Sequence, residues 1–402
     1  MTRMRTRHWM ILGALVAGPA GAGPLTGAIT DGQASLHLNL RFEQAEQQGR
    51  EDADALTLRP RLGYRTGNWQ HLDAFAEFEG VYAIGGDDGY NSGPSFLNAT
   101  NGNTRFATIA DPTGDQMNRA WLRYRGLPAT TLKIGRQRLI LDNARFVGNV
   151  GWRQNEQTFD AVSLVSQPLP DLTLTYAYLW RQNFIFFNDN RMKSHLVNAR
   201  WQAHPMLALT GFAYLVDFDR EANGTRAPGA PDHRVLGMRA TGALHRLRYE
   251  LAYAEQSDYG EAPTTVDADY WQVQLSLPGL PVTPTLGYEV LGGDGTYGFR
   301  FPLATNHAFQ GWADVFIATP PDGVVDRYMK LSADAGPVRL TAAFHDLRAD
   351  HGHTDYGREI DVSVAASVTE HLGLLVKFAD YRAEGFAADT RRLWLQATFA
   401  FE

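Results

Sequence analysis

The chain has 402 residues, a formal net charge of −7 and no cysteine. The lack of cysteine excludes disulfides, thiol catalysis and zinc–thiolate sites. After the N-terminal region, no stretch reaches the about 18 consecutive apolar residues of a membrane-spanning helix.

The N-terminal region has the three parts of a secretory signal peptide. Residues 1–8 contain three arginines and a histidine, residues 9–18 are mostly apolar, and residues 19–22 end in a small-x-small pattern. This order indicates export from the cytoplasm. We therefore predict a signal peptide over residues 1–22, cleaved after Ala22, and one domain over residues 23–402.

The exported chain alternates between apolar and polar residues. In residues 35–43 every second residue is apolar, from Leu36 to Phe42, and the residues between them are polar. A period of two predicts β-strands with one apolar and one polar face. The same pattern recurs in residues 56–65, 72–82, 172–180, 195–202, 207–218, 244–255, 270–277, 282–291, 338–347, 360–367, 372–381 and 393–401.

The connections between these segments also alternate. Short turns rich in proline and glycine, such as residues 278–281, take turns with long polar loops, such as residues 84–116, 181–194 and 292–325. Short turns on one side and long loops on the other are typical of outer-membrane barrels. We predict an all-β fold: a transmembrane antiparallel barrel of about 18 strands in the outer membrane of a Gram-negative bacterium. Its last strand is expected to pair with the first.

A basic stretch indicates what lines the barrel. Residues 119–138 hold six cations and no acid. Arg119 and Arg123 alternate with apolar residues such as Leu122, so we expect the cations to face a water-filled lumen and the apolar residues to face lipid. The cations predicted to line the lumen by this parity are Arg41, Arg59, Arg61, Arg119, Arg123 and Lys133.

Two interpretations of these cations remain open. Inward cations could pair with inward acids, for which Glu43, Asp73, Glu77 and Glu79 are available, and so only support the barrel. Alternatively, a basic lumen with low-dielectric walls concentrates anions. The lack of acids within the basic stretch favours a path for anions.

The parity fails at Arg136, Arg138 and Asp160, which requires a bulge near Gly135 or the edge of the membrane. Between them, residues 139–158 are too polar and irregular for a lipid-facing strand. We expect this segment to fold inward and constrict the pore, and an outward solvated loop is the alternative. Inward folding would bring to the path Asp142, Arg145, Arg153, Gln154, Asn155 and Glu156.

Two motifs resemble those of a known family. "KIGRQRLILDNARFVGNVGWRQNEQTFDA" and "FPLATNHAFQGWADVF" are similar to segments shared by the alginate export family of outer-membrane barrels. The resemblance implies an eighteen-stranded barrel whose electropositive lumen passes the uronate polymer alginate. It implies polymer contacts by Arg59, Arg61, Arg119, Arg123, Lys133, Arg136, Arg145 and Arg153.

We expect a channel that exports an anionic polysaccharide, alginate or a similar uronate polymer. The alternatives are an anion-selective or general porin for uptake of small solutes and a barrel that binds surface ligands through its loops. The sequence lacks the common catalytic motifs, and we predict no enzyme activity, cofactor, metal site or nucleic-acid partner. The expected partners are the anionic polysaccharide or another anionic solute, outer-membrane lipid and a periplasmic export scaffold, with the barrel itself a monomer.

Overall fold

Eighteen antiparallel strands form a single sheet that closes on itself. The computed structural model describes residues 25–97, 99–219, 231–262 and 266–402, and the predicted signal peptide lies outside the described residues. The strands are β1 Gln33–Gln47, β2 Ala53–Arg65, β3 Leu72–Ala83, β4 Gly114–Leu127, β5 Thr130–Gln137, β6 Thr158–Leu169, β7 Leu172–Asn183, β8 Asp189–His204, β9 Leu207–Val216, β10 His233–Leu244, β11 Leu247–Asp258, β12 Asp267–Ser276, β13 Thr283–Leu291, β14 Val324–Ala335, β15 Val338–Arg348, β16 Asp355–Ser367, β17 Leu372–Ala383 and β18 Thr390–Phe401.

The first and last strands close the barrel, as predicted. β1 pairs with β2 on one side and with β18 on the other, and Leu36 lies opposite Phe401. Closure satisfies the backbone of both terminal strands, which hydrocarbon could not do for an open edge. One short helix, α1 Leu25–Thr30, precedes β1. Among the described residues, no helix combines the length and apolar character that crossing a bilayer would require.

The alternation of residues along each strand separates the two faces of the barrel wall. On β2, Leu62 is 63% exposed on the outer face, whereas its neighbour Arg61 is enclosed inside. On β1, Leu40 and Arg41 show the same contrast. Exposed large apolar side chains recur around the outer surface, which suits contact with lipid.

The connections alternate in length, as the sequence predicts. Turns such as residues 128–129, 205–206 and 336–337 lie at one end, and longer connections such as residues 84–113 and 292–323 lie at the other. One predicted long loop is shorter than expected: β7 and β8 extend towards each other and leave only residues 184–188 between them. By analogy with barrels of this type, the end with long loops is the extracellular one.

The irregularity predicted near Gly135 lies on the neighbouring strand instead. The register of β5 with β6 is unbroken, whereas the pairing of β3 with β4 shifts between Glu77 and Phe78, so that Asn118 bulges. Gly135 has a φ of +117°, and a Cβ atom there would lie 2.3 Å from the carbonyl oxygen of Ala120. Glycine is therefore required at this position by both its backbone angle and its close approach to β4.

We predict that Gly135→Ala lowers the stability of the folded barrel by about 1–3 kcal/mol, since alanine is strained at that φ and clashes with β4. The temperature at which the purified barrel loses its compact, faster-migrating form on gel electrophoresis measures the effect. Gly211→Ala in β9 is the matched control, because a Cβ there would meet nothing within 4 Å. If the two variants lost the compact form at the same temperature, the role assigned to Gly135 would be contradicted.

Candidate functional site

The inner wall of β1 and β2 carries three of the predicted lumen cations. Arg41, Arg59 and Arg61 are all buried, at 1%, 8% and 7% exposure. They face the barrel interior because they alternate with outward leucines on strands of regular register. Their burial shows that the interior beside them is occupied.

The occupant is the first inward segment, residues 138–157, between β5 and β6. The Asn39 amide donates to Gln154 Oε1 at 3.1 Å, and Arg59 Nη1 donates to the Gln154 carbonyl oxygen at 3.3 Å. Arg41 donates to the carbonyl oxygen of Trp152. The segment thus crosses the lumen to β1 and β2, as predicted, and the alternative of an outward solvated loop does not apply.

A second inward segment, residues 292–323 between β13 and β14, packs against the first. The Gly148 amide donates to the Leu303 carbonyl oxygen at 2.8 Å, and Arg145 Nη2 donates to Gln310 Oε1 at 2.9 Å. The sequence pattern predicts an external loop for these residues, whereas the structure places them inside the barrel. The missed signal was their composition, because residues 301–316 are rich in aromatic and small side chains for an exposed loop.

Glu156 is a fully buried acid near the end of the first inward segment, two residues before β6. Its Oε1 accepts hydrogen bonds from Arg138 Nη2 at 2.5 Å and from the Asn118 amide at 2.8 Å. The same oxygen lies 3.3 Å from Arg61 Nη1. The Asn149 amide donates to Oε2 at 2.6 Å. Burial alone would raise the pKa of Glu156, but the two guanidinium groups and these hydrogen bonds hold it well below its usual range. A depressed pKa means that the charge and its contacts are retained at neutral and mildly acidic pH, and are lost only as the pH falls through the depressed value.

The predicted cations of β4 are paired with acids of the adjacent strand. Arg119 Nη2 lies 2.6 Å from Glu77 Oε2, and Arg123 Nη2 lies 2.6 Å from Asp73 Oδ2. Both acids lie on β3, directly opposite in the register. The lack of acids within the basic stretch is therefore compensated across the sheet. Arg119 and Arg123 therefore pair with inward acids, which is the first of the two interpretations given for the basic stretch.

The predicted lumen positions of Arg136 and Asp160 are wrong. Arg136 Nε donates to Asp160 Oδ1 at 2.8 Å, directly across the β5–β6 pair. Both residues share a face with Ile134 and Val162, which is the outer face. The reason is that the bulge lies at Asn118 on β4. The side chains of β5 therefore continue to alternate between the inner and outer faces up to the end of the strand.

The other predicted site residues lie inside the barrel. Asp142 Oδ2 accepts from the Asn198 amide of β8 at 2.8 Å. The Asn155 amide donates to the Ile185 carbonyl oxygen at 3.0 Å. Arg145 Nε lies 2.8 Å from Glu289 Oε1 of β13. The first inward segment is thus fixed to both sides of the wall.

Arg153 joins the two inward segments to the wall. Its Nη1 lies 3.0 Å from Glu43 Oε2 on β1, and its Nη2 lies 2.6 Å from Asp314 Oδ2 on the second inward segment. Burial alone would raise the pKa of Asp314, but His307 and Arg153 hold it well below its usual range. The contact is therefore an ion pair at neutral pH.

An aromatic cage around Lys377 adds a further anchor, which no pattern in the sequence indicates. The ammonium group of this β17 residue lies 4.0 Å from the ring centre of Trp152 and 3.9 Å from that of Trp312, and it donates to His307 Nε2 at 2.6 Å. Burial lowers the pKa of His307 to about 3, so its ring is neutral at pH 7 and Nε2 can accept. Cation–π contacts of this kind bind both inward segments to one strand.

The half of the lumen nearer the short turns is more basic. Lys133 has no carboxylate partner among the described residues and lies 5.0 Å from the ring centre of Trp121. By strand parity, the described cations on this part of the inner face are Arg65, Arg119, Arg123, Arg125, Lys133, Arg200, Arg239, Arg248, Lys330 and Arg339, and the acids beside them are Asp73, Glu77, Glu250 and Asp334. Cations therefore outnumber acids below the constriction.

Sequence comparison gives the family. The family model described as alginate export matches residues 33–310. This range contains β1 to β13, the whole first inward segment and most of the second. The chain belongs to the alginate export family. No curated protein matches it.

Solved structures with the same fold are outer-membrane proteins. Pseudomonas aeruginosa OpdO is 16% identical, with a TM-score of 0.69 over 94% of this chain and 99% of that one. Acinetobacter baumannii OccAB4 is 13% identical, with a TM-score of 0.70 over 92% and 98%. Pseudomonas aeruginosa OpdK, solved with vanillate, is 16% identical, with a TM-score of 0.70 over 93% and 100%. Together with the family, the closed barrel identifies an outer-membrane channel of a Gram-negative bacterium.

We predict that Glu156→Gln raises the unitary conductance of the reconstituted channel. The change leaves Arg138 without its buried counter-charge and Arg61 with Glu79 alone, and loss of one partner of a buried pair costs about 3–5 kcal/mol. The first inward segment should then leave the lumen for part of the time. Asp334→Asn is the control, because Asp334 pairs with Arg339 at the exposed β14–β15 turn. Unchanged conductance in Glu156→Gln would contradict the anchoring role of Glu156.

Proposed function

We propose that the protein is a passive channel for small anionic solutes, acting as a monomer. The observation that carries this proposal is the arrangement of the lumen in two parts. Two cross-linked inward segments occupy the half near the long loops, and an inner wall with more cations than acids lies below them.

The inward segments favour a small solute. Arg153 and Glu156 hold the first segment through buried ion pairs to β1 and β2, and Lys377 holds both segments through its aromatic cage. Each buried pair is costly to break. A polymer that needs the full width of the barrel would have to displace all of these contacts, whereas a small solute passes around ordered segments.

The lower wall favours a negatively charged solute. Arg119 and Arg123 keep about a fifth of their side-chain surface exposed although they are paired, and Lys133 has no acid partner among the described residues. A low-dielectric wall strengthens the field of such groups in the water beside them. The result is a local excess of anions in the half of the lumen below the constriction.

Export of a uronate polymer is the second candidate, favoured by the match to the alginate export family. A uronate chain carries a carboxylate on each sugar, and arginine binds carboxylates through paired hydrogen bonds. This candidate requires the inward segments to leave the lumen during transport. It also implies a periplasmic scaffold that delivers the chain.

Selectivity tests the proposed charge preference. In a planar bilayer with a KCl gradient, the wild-type channel should prefer chloride, and Lys133→Glu should lower the chloride-to-potassium permeability ratio about twofold or more, since it reverses a charge in the lumen. Arg136→Glu makes the same change of charge on the outer face and should leave the ratio unchanged. A wild-type channel that prefers potassium would contradict the proposal.

Block of the ion current distinguishes the two candidates. Small carboxylates should interrupt the chloride current briefly, as solutes that enter and leave do. Oligouronates should have little effect if the inward segments stay in place. Long, concentration-dependent block by oligouronates, with none by small carboxylates, would favour polymer export instead.

A further inference from the structure

A cavity of about 560 Å³ lies above the constriction, between the β3–β4 and β7–β8 connections and the second inward segment. Most of its wall is apolar, formed by Phe96, Leu97, Phe184, Phe186, Phe301 and Ile317. Phe96 and Ile317 are exposed, at 60% and 47%, so the cavity opens towards the side with the long loops. Its volume is in the range of sites for small organic molecules.

Two of the three arginines that line the cavity are neutralised by the protein itself. Arg153 is paired with Glu43 and Asp314, as described above. Arg392 Nη1 lies 3.0 Å from Glu43 Oε1, and its Nε donates to the Ala313 carbonyl oxygen at 2.9 Å. These two guanidinium groups complete the floor of the cavity and leave little charge for a ligand.

The third arginine, Arg300, differs from them. Its guanidinium has no carboxylate partner among the described residues, and its Nε is buried without a hydrogen bond. The backbone on either side is fixed, since the Arg300 amide donates to Gln256 Oε1 at 2.8 Å and the Gln256 amide donates to the Arg300 carbonyl oxygen at 2.9 Å. Gln256 lies on β11, so the wall of the barrel positions this unpaired cation.

The chemistry of the cavity defines the ligand that fits it. An unpaired guanidinium binds a carboxylate through charge-assisted hydrogen bonds. Aromatic side chains such as Phe184 and Phe301 favour a flat apolar body by stacking and burial. A sugar acid has hydroxyl groups on all sides, and burying those that face the apolar part of the wall is unfavourable.

We propose that this cavity is a capture site for small carboxylates with an aromatic or similarly apolar body, held through Arg300. This assignment rests on the proposed function, because it names the class of anion that the channel would take up. It places the first recognition step outside the constriction, at a residue that lies apart from the basic lower wall.

Calorimetry on the purified full-length barrel tests the assignment with three probes. Benzoate has the ring and the charge, benzamide has the ring without the charge, and glucuronate has the charge on a polar body. Wild type should bind benzoate at least about tenfold more tightly than either of the others. Arg300→Gln should remove the preference for benzoate over benzamide. Arg234→Gln is the matched control, because Arg234 lies exposed on the outer face and donates to Ser257 Oγ.

A second variant tests the apolar half of the site. Phe96→Ser should weaken benzoate and benzamide alike and leave glucuronate unchanged. The assignment is wrong if wild type binds none of the probes, if glucuronate matches benzoate, or if Arg300→Gln binds benzoate as wild type does. Chloride preference in the bilayer, measured on the same preparations, decides the proposed function separately, because Lys133 lies in the other half of the lumen.

Discussion

Closure of the hydrogen-bonded sheet is the constraint on which the rest of the structure depends. In hydrocarbon an unpaired strand edge is too costly, so β18 must return to β1. Once the sheet is closed, each strand has one face towards lipid and one towards the interior. The position of every ion pair in the lumen follows from that alternation together with the register between neighbouring strands.

Buried ion pairs organise the interior of this barrel together with a large cluster of apolar and aromatic side chains. Glu43 and Glu156 each bind two arginines from different parts of the chain, and Asp314 binds Arg153 and His307. These contacts hold two long segments inside the wall. Buried pairs of this kind specify one arrangement, because an arrangement that left either partner alone would be unfavourable. The same neutralisation leaves Lys133 and Arg300 as cations with no acid partner in the described part of the chain. A polar interior can therefore be ordered and still present charge at selected places.

Much of the fold was predictable from the sequence because period two is a local property. The strand number, the closing pair, the order of turns and loops and the inward position of Arg41, Arg59 and Arg61 all follow from the alternation. The inward course of residues 138–157 was also predictable, since their polarity does not suit lipid. Each of these predictions depends only on residues that are close together in the sequence.

Features that depend on register between strands were not predictable in this way. A bulge at Gly135 would place Arg136 and Asp160 in the lumen, whereas the structure has the bulge at Asn118 on the adjacent strand. The pairing of Arg119 with Glu77 joins residues 42 positions apart, and the sequence offers several acids for each arginine. The second inward segment, the cage around Lys377 and the unpaired Arg300 arise from contacts between distant loops, which no local pattern specifies.

The most direct test of the proposed transport is to lock the first inward segment in place and measure the current. Gln116 and Asn155 are joined by a hydrogen bond of 2.8 Å between β4 and this segment, and the native chain has no cysteine to interfere. In a variant with cysteines at both positions, a short reducible cross-linker would tether the segment to the wall. If small anions pass around ordered segments, the chloride current should persist after cross-linking. A current that disappears on cross-linking and returns on reduction would contradict this, because it would show that the segment must leave the lumen for transport.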